Sequence, residues 1–285
     1  MRLIDKRIAV ICNELRRLSV KQTMPVTTLV FKKGNFITPA EADAAPGEWL
    51  PFDSTTMHWY GPDQHYWFRM WFTVPQNLAG KSLWLHVRTQ IDEWDDGKNP
   101  QFLLFLNDAA VQGIDMNHRD VLLFEKVPEG ERLCLDLQAY TGTLHSEFRL
   151  IIEMREVDPL IENLYYDLWV PLSAFARMEE EDKTRLELET VLNNAVNLLD
   201  LRDAHSDPFV KSVEAADAYL QQALYTEMAG DDGVIASCIG HTHIDVAWWW
   251  TVEQTREKVA RSFATVLKLM EEYPDYCFMS SQPQL

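Results

Sequence analysis

Residues 234–250 read VIASCIGHTHIDVAWWW, and the rest of the chain is read outward from this stretch. An apolar run, Val234 to Ile239, ends at Gly240. Three groups able to ligate a metal follow at alternate positions: His241, His243 and Asp245. In an extended chain side chains two apart point the same way, so all three would share one side. Imidazole plus carboxylate suits zinc or another divalent transition metal. Parallel α/β folds place active sites just past the carboxyl ends of their strands. At the level of the string alone, an ordinary loop that binds nothing stays open beside the metal reading. Trp248, Trp249 and Trp250 come next, and a helix interior rarely needs three indoles in a row.

The flanks give the string a context. From Thr251 the apolar positions Val252, Val259, Phe263, Val266, Leu267 and Met270 follow a helical period. Arg256, Glu257, Lys258, Arg261 and Lys268 are then expected on the remaining surface. Pro274 stops the helix, and a strand-like run begins at Tyr276. The pattern predicts a βαβ unit with ligands at the carboxyl end of its first strand.

His243 to Trp250 (HIDVAWWW), followed by Glu253, Thr255, Lys258 and Arg261-Ser262-Phe263, resembles the signature of family 38 glycoside hydrolases, the zinc-dependent retaining α-mannosidases. Ser281 to Leu285 (SQPQL) is similar to that family's second barrel strand. The resemblance implies one Zn²⁺ per complete active site, held in part by His243 and Asp245, with Trp248 stacking on the sugar. It gives His241 a supporting role only, because the matching family position is not normally a ligand. Trp249 and Thr251 depart from the commoner leucine and proline, away from the ligands. The family's nucleophilic aspartate, its acid/base residue and its last histidine ligand lie further downstream than Leu285. A retaining glycosidase needs two carboxyl groups about 5 Å apart. The expectation is therefore that residues 1–285 hold no catalytic residue and half a zinc site, and hydrolyse nothing alone. The implied partner is a mannose-containing oligosaccharide.

Charge narrows the partners further. Lys and Arg number 26 against 44 Asp and Glu, a net charge of −18, which argues against nucleic acid or an anionic membrane. Cys12, Cys134, Cys238 and Cys277 are scattered, and buried free thiols are the expected reading over disulfides. Met1 to Val20 interleaves charges with Leu3, Ile4, Ile8, Ile11, Leu15 and Leu18, an amphipathic helix and not a secretion signal. No run has the length of a membrane span, so a cytoplasmic protein is expected.

Short aromatic and β-branched runs fill residues 50–158: Tyr66–Val74, Ser82–Thr89, Gln101–Leu106, Val121–Phe124, Arg132–Leu137 and Glu147–Val157. Turn material such as Asp95–Pro100, Asn107-Asp108 and Pro128-Glu-Gly separates them, which predicts an antiparallel β-sandwich. Both faces of Tyr66–Val74 are apolar, as in a strand buried on both sides. Asn107, Gln112-Gly113, Asp115 to His118 and Ala139-Tyr140 resemble, more loosely, the N-terminal sandwich of cytosolic-type family members. Asp115, Asn117 and His118 read as a turn that satisfies its own backbone, with reach toward a neighbouring site left open.

The fold class expected is mixed: an N-terminal helix and lead-in over 1–49, the sandwich over 50–158, a helical connector over 159–230, and the first βαβ of a truncated parallel barrel over 231–285. Ser206-Asp207-Pro208 reads as a helix start, with Asp207 as the cap and Pro208 in the first turn, and Gly230 to Gly233 as a hinge. A barrel start leaves apolar surface uncovered, so a homo-oligomer stays open. Two other functions also stay open. An amidohydrolase-type metal hydrolase would use His241 and His243 together, and a non-enzymatic carbohydrate-binding protein would use the sandwich.

Overall fold

Alternating apolar residues become antiparallel sheet over much of the chain. The computed structural model describes residues 2–90, 99–229 and 237–282. Six strands precede residue 90: β1 (Val20–Pro25), β2 (Thr28–Lys33), β3 (Leu50–Asp53), β4 (Trp59–Tyr60), β5 (His65–Thr73) and β6 (Leu83–Arg88). Six more follow: β7 (Gln101–Leu106), β8 (Ala109–Ile114), β9 (Asp120–Phe124), β10 (Arg132–Tyr140), β11 (Glu147–Phe148) and β12 (Ile151–Val157). They form a six-stranded sheet in the order β3-β2-β5-β10-β7-β8, a four-stranded sheet in the order β1-β12-β6-β9, and the small pair β11-β4. None of these sheets closes on itself, and strands β1 and β2 come from the lead-in before residue 50.

Phe68, Met70, Leu135 and Leu137 of the larger sheet share one apolar core with Leu85, Val121, Ile152 and Met154 of the smaller. Each such side chain contributes about 1.5–3 kcal/mol by leaving water. The opposite face of β5 carries Trp67, which is fully buried with Leu103, Phe105 and Ala42. Further along the same face Trp71 is 48% exposed, so β5 is covered on both sides at one end only. β10 pairs with β5 over its whole length, from Arg132 opposite Thr73 to Tyr140 opposite His65. One cross-strand pair is ionic: Arg69 Nε lies 2.7 Å from the buried Asp136 carboxylate. Asn107 and Asp108 both have positive φ, 49° and 69°, the backbone that a two-residue hairpin between twisted strands requires.

A second compact unit combines Met1–Gln22 with Glu156–Ile235. Its helices are α1 (Leu3–Ser19), α3 (Pro159–Ala174), α4 (Lys183–Leu198) and α5 (Asp207–Gln222); the short α2 (Pro39–Ala44) belongs with the sheets. Ile8, Cys12 and Leu15, one stripe of α1, meet Leu164, Leu168, Leu192, Phe209 and Val213 in its core. Asp5 of α1 and Arg185 of α4 form an ion pair of 2.8 Å with both side chains almost fully buried. The cap of α5 is Ser206, whose hydroxyl accepts from the Phe209 N–H, and not Asp207, which lies one residue inside the helix. An Asp at that position still helps, since a carboxylate in the first turn faces the positive end of the helix dipole.

The C-terminal segment packs with the sheets in one unit. Strand β13 (Ile239–His241), helix α6 (Val252–Glu272) and strand β14 (Cys277–Met279) make a parallel βαβ arrangement, with Ile239 opposite Cys277 and His241 opposite Met279. Of the expected strand Val234–Ile239 only its last three positions are described; residues 230–233 and most of the Asp95–Pro100 turn likewise lie outside the described residues. A Cβ at Gly240 would run into the Tyr276 hydroxyl, so a side chain there would have to displace that tyrosine. Cys238 and Cys277 are exposed thiols, in contrast to the buried Cys12, whose position in an apolar core pushes its thiol up to about 12.

Candidate metal centre

The loop after β13 carries the candidate ligands. His243 Nε2 and Asp245 Oδ1 stand 3.1 Å apart, and both side chains reach solvent. Ile244, between them, points inward and is buried, as alternation in an extended segment demands. His241 is turned elsewhere: its Nε2 meets the Ser281 hydroxyl at 2.7 Å. Gln282 grips the loop backbone from the β14 side, accepting from the Ile244 N–H at 2.7 Å and donating to the Ile244 carbonyl at 2.8 Å.

The chain then turns sharply at Ala247, a non-glycine residue with a φ of 61°. Trp248 is 67% exposed and sits edge-to-face against Trp249 and Trp250 at 5.8 and 5.7 Å. Thr251 caps α6 by accepting from the Gln254 N–H. One turn later the buried Thr255 hydroxyl accepts from the Ala247 N–H and from the Trp250 indole N–H, each at 3.1 Å. Lys258 Nζ lies 4.3 Å above the Trp250 ring, a cation–π contact that holds this indole against the helix.

Donor chemistry and spacing suit a divalent cation. Tetrahedral zinc with bonds of about 2.0–2.2 Å sets adjacent nitrogen and oxygen donors about 3.3–3.4 Å apart, within a few tenths of the separation between His243 and Asp245. Among the described residues no third His, Cys, Asp or Glu joins them. A cavity of about 450 Å³ is lined by His243 and also by His241, with Trp250, Arg261 and Tyr276 and with Asp115 and His118 of the turn after β8; Asp245 does not line it. Asp115 Oδ1 accepts from the backbone N–H groups of Asn117 and His118, both at 2.8 Å, so the turn does satisfy its own backbone. Burial works to raise the Asp115 carboxyl, but these bonds and His118 outweigh it and hold it below its ordinary value.

Helix α6 seats itself differently from the periodicity. Its buried residues are Gln254, Thr255 and Arg261, whereas Val252, Leu267 and Met270 stand exposed. Arg261, expected on the surface, donates to Gln101 Oε1 at 2.7 Å and lies 3.6 Å from Glu257. Glu257 in turn meets His65 Nε2 at 2.7 Å, and Gln254 donates to Asp63 and to the Tyr140 hydroxyl. Burial works to raise Glu257, yet His65 and Arg261 prevail and keep its carboxyl below the usual range. Burial first, and then Asp63, lifts the Tyr140 phenol well above its own. A seam of polar bonds thus fastens α6 to β5, β7, β8 and β10. Reading the helix by its apolar residues missed it, because the partners lie over 100 residues away in sequence.

Comparison with known proteins follows the same segment. Residues 234–285 match the family described as "Glycosyl hydrolases family 38 N-terminal domain". α-Mannosidase G of Dictyostelium discoideum is 24% identical over 247 residues, covering 79% of this chain and 21% of that protein. The α-mannosidase of Saccharomyces cerevisiae is 35% identical over 127 residues, covering 42% of this chain and 12% of that one. α-Mannosidase 2C1 of Mus musculus is 24% identical over 279 residues, 88% of this chain and 24% of that one. The chain therefore spans less than a quarter of the length of these relatives. Among solved structures, a Faecalibacterium prausnitzii β-glucuronidase aligns with a TM-score of 0.30 and 11% identity, over 48% of this chain and 32% of that one. No helix among the described residues is long and apolar enough to cross a membrane.

Proposed function

We propose that the chain belongs to glycoside hydrolase family 38, whose N-terminal domain its residues 234–285 match, and that it supplies part of a zinc-dependent retaining α-mannosidase acting on mannose-containing oligosaccharides. In this reading His243 and Asp245 are two of the zinc ligands, and Trp248 offers its exposed face to the sugar. The observation that carries it is the pairing of His243 with Asp245 at 3.1 Å, beside an exposed indole and just past a parallel strand. Bound zinc would act as a Lewis acid toward sugar hydroxyls.

The rest of the chemistry falls to side chains. The His243 Nε2–H donates to the Asp245 carboxylate, which keeps the two groups side by side; once that proton leaves, the Nε2 lone pair and the carboxylate oxygen could reach one cation. Trp248 gives an apolar plane for the C–H face of a pyranose and displaces water from it. Two protein donors are half of a tetrahedral shell, so further donors complete the centre. A retaining mechanism would need two carboxyl groups about 5 Å apart, one as nucleophile and one as acid/base. The two stacked antiparallel sheets are read as a β-sandwich, and the β13-α6-β14 unit as the first part of a parallel barrel. Free thiols at all four cysteines suit a reducing, cytoplasmic setting.

An amidohydrolase-type site would need His241 and His243 to converge on one metal. The His241 bond to Ser281 favours the His243 and Asp245 pair instead. Zinc titration by calorimetry tests the choice. Replacing His243 or Asp245 by alanine should abolish binding, and replacing His241 should leave it within a few fold. Equal loss on replacing His241 would reverse the reading.

A further inference from the structure

The Thr255 hydroxyl has one proton and two lone pairs to offer. Both lone pairs are taken, by the Ala247 N–H and the Trp250 indole N–H, each at 3.1 Å. Its proton can go to the Thr251 carbonyl, one turn back in its own helix, or to the Asp245 carbonyl, whose oxygens lie 3.2 and 3.4 Å from the hydroxyl oxygen. The side chain is 4% exposed, so water does not compete for these bonds. Ala247, which it holds, has a left-handed backbone that an L-residue other than glycine, asparagine or aspartate seldom adopts. Such a residue persists where its surroundings over-determine it.

Chain geometry turns this anchor into something directional. Asp245 lies two residues before Ala247, and Trp248 one residue after it. A reversal locked at Ala247 therefore sets where the Asp245 carboxylate and the Trp248 ring project. Gln282 fixes the backbone on the other side of Asp245, at Ile244. Helix α6 is itself fastened to the sheets through Arg261, Glu257 and Gln254.

We infer that Thr255 is a positioning residue, which holds the Asp245–Trp250 turn in the conformation that presents the metal ligand and the sugar-stacking indole together. The inference rests on the assignment of His243 and Asp245 as zinc ligands. Thr255 touches neither metal nor sugar, and acts through the backbone of the turn.

The test uses the 285-residue protein and three variants: Thr255→Val, which keeps the shape and loses every hydroxyl bond, Thr255→Ser, which restores them, and His243→Ala. Three readouts are needed: exchange of the Ala247 amide, tryptophan fluorescence, and titration with zinc alone. Thr255→Val should exchange Ala247 about tenfold faster or more, change the indole emission, and weaken zinc binding at least several fold. Thr255→Ser should recover all three. A Thr255→Val protein with unchanged Ala247 exchange and emission overturns the inference. So does a Thr255→Ser protein that behaves like the valine variant, since a purely packing role would explain both. Should His243→Ala bind zinc as well as the parent, the metal assignment is what has failed, and the exchange and emission data then decide the inference by themselves.

Discussion

Replacing Gly113 by alanine tests the seating of α6 on the sheets, on which the metal loop depends. Gly113 lies in β8, and a Cβ built there would be 2.9 Å from both the Cβ and the carbonyl oxygen of Arg261. Carbon atoms settle at about 3.5 Å or more, so the new methyl group is short of room by about 0.6 Å. Neither obstacle is the free end of a flexible side chain, and the helix itself must move. Overpacking of this kind costs about 1–3 kcal/mol. Against it, alanine reduces the freedom of the unfolded chain, which stabilises by about 0.4–1 kcal/mol. No left-handed backbone at Gly113 adds to the penalty, since its φ is not positive. The net expectation is a loss of about 1–2 kcal/mol. Urea unfolding followed by fluorescence should show a lower midpoint at unchanged slope. Amide exchange should also quicken at Gly113, whose N–H donates to the Thr265 hydroxyl at 3.1 Å. A Gly113→Ala protein as stable as the parent, or more so, would mean that α6 does not lie against β8.

Four further outcomes are expected. Arg261→Leu should destabilise by about 1.5–3 kcal/mol through the lost charged bond to Gln101, measured by the same unfolding titration. Glu257 has its carboxyl held down in the folded protein, so its contribution is present above the unfolded value of 4.5 and is lost as pH falls through the lower folded one. Glu257→Gln should accordingly flatten the acid limb of stability against pH. Tyr140 behaves in the opposite sense: its raised phenol contributes below the unfolded value of 10.0 and loses that contribution as pH climbs beyond it, so Tyr140→Phe should shift the alkaline limb. With a disulfide-exchange reagent at neutral pH, Cys238 and Cys277 should react quickly in the native protein and Cys12 only on unfolding.

Much of this architecture could be read from local pattern. Short aromatic and aliphatic runs between turns located β5, β7 and β10, and the Asn107-Asp108 pair announced its hairpin, because both signals depend only on neighbours along the chain. Helical spacing located α6 and the helices after residue 159 for the same reason. The order H-x-H-x-D offers His241, His243 and Asp245 alike, and the resemblance to family 38 glycoside hydrolases is what implied roles for His243, Asp245 and Trp248. Four things needed the tertiary structure. Residues of α1 form one core with α3, α4 and α5, although periodicity names a face and never its partner. Strands β1 and β2 joined the sheets from a lead-in with no strong alternation. Helix α6 buries Gln254, Thr255 and Arg261 and leaves Val252, Leu267 and Met270 exposed, against the ordinary preference for apolar burial. That inversion holds because Asp63 and Tyr140 meet Gln254 and Gln101 meets Arg261, all over 100 residues distant, while Thr255 is met by Ala247 and Trp250 of the neighbouring turn; hydrogen bonds so made remove the cost that would otherwise forbid it. His241 finds its partner in the same way, in the Ser281 hydroxyl two residues beyond β14, whereas His243 pairs with Asp245. Alternation gives two side chains the same side, and only their partners decide whether they share a ligand.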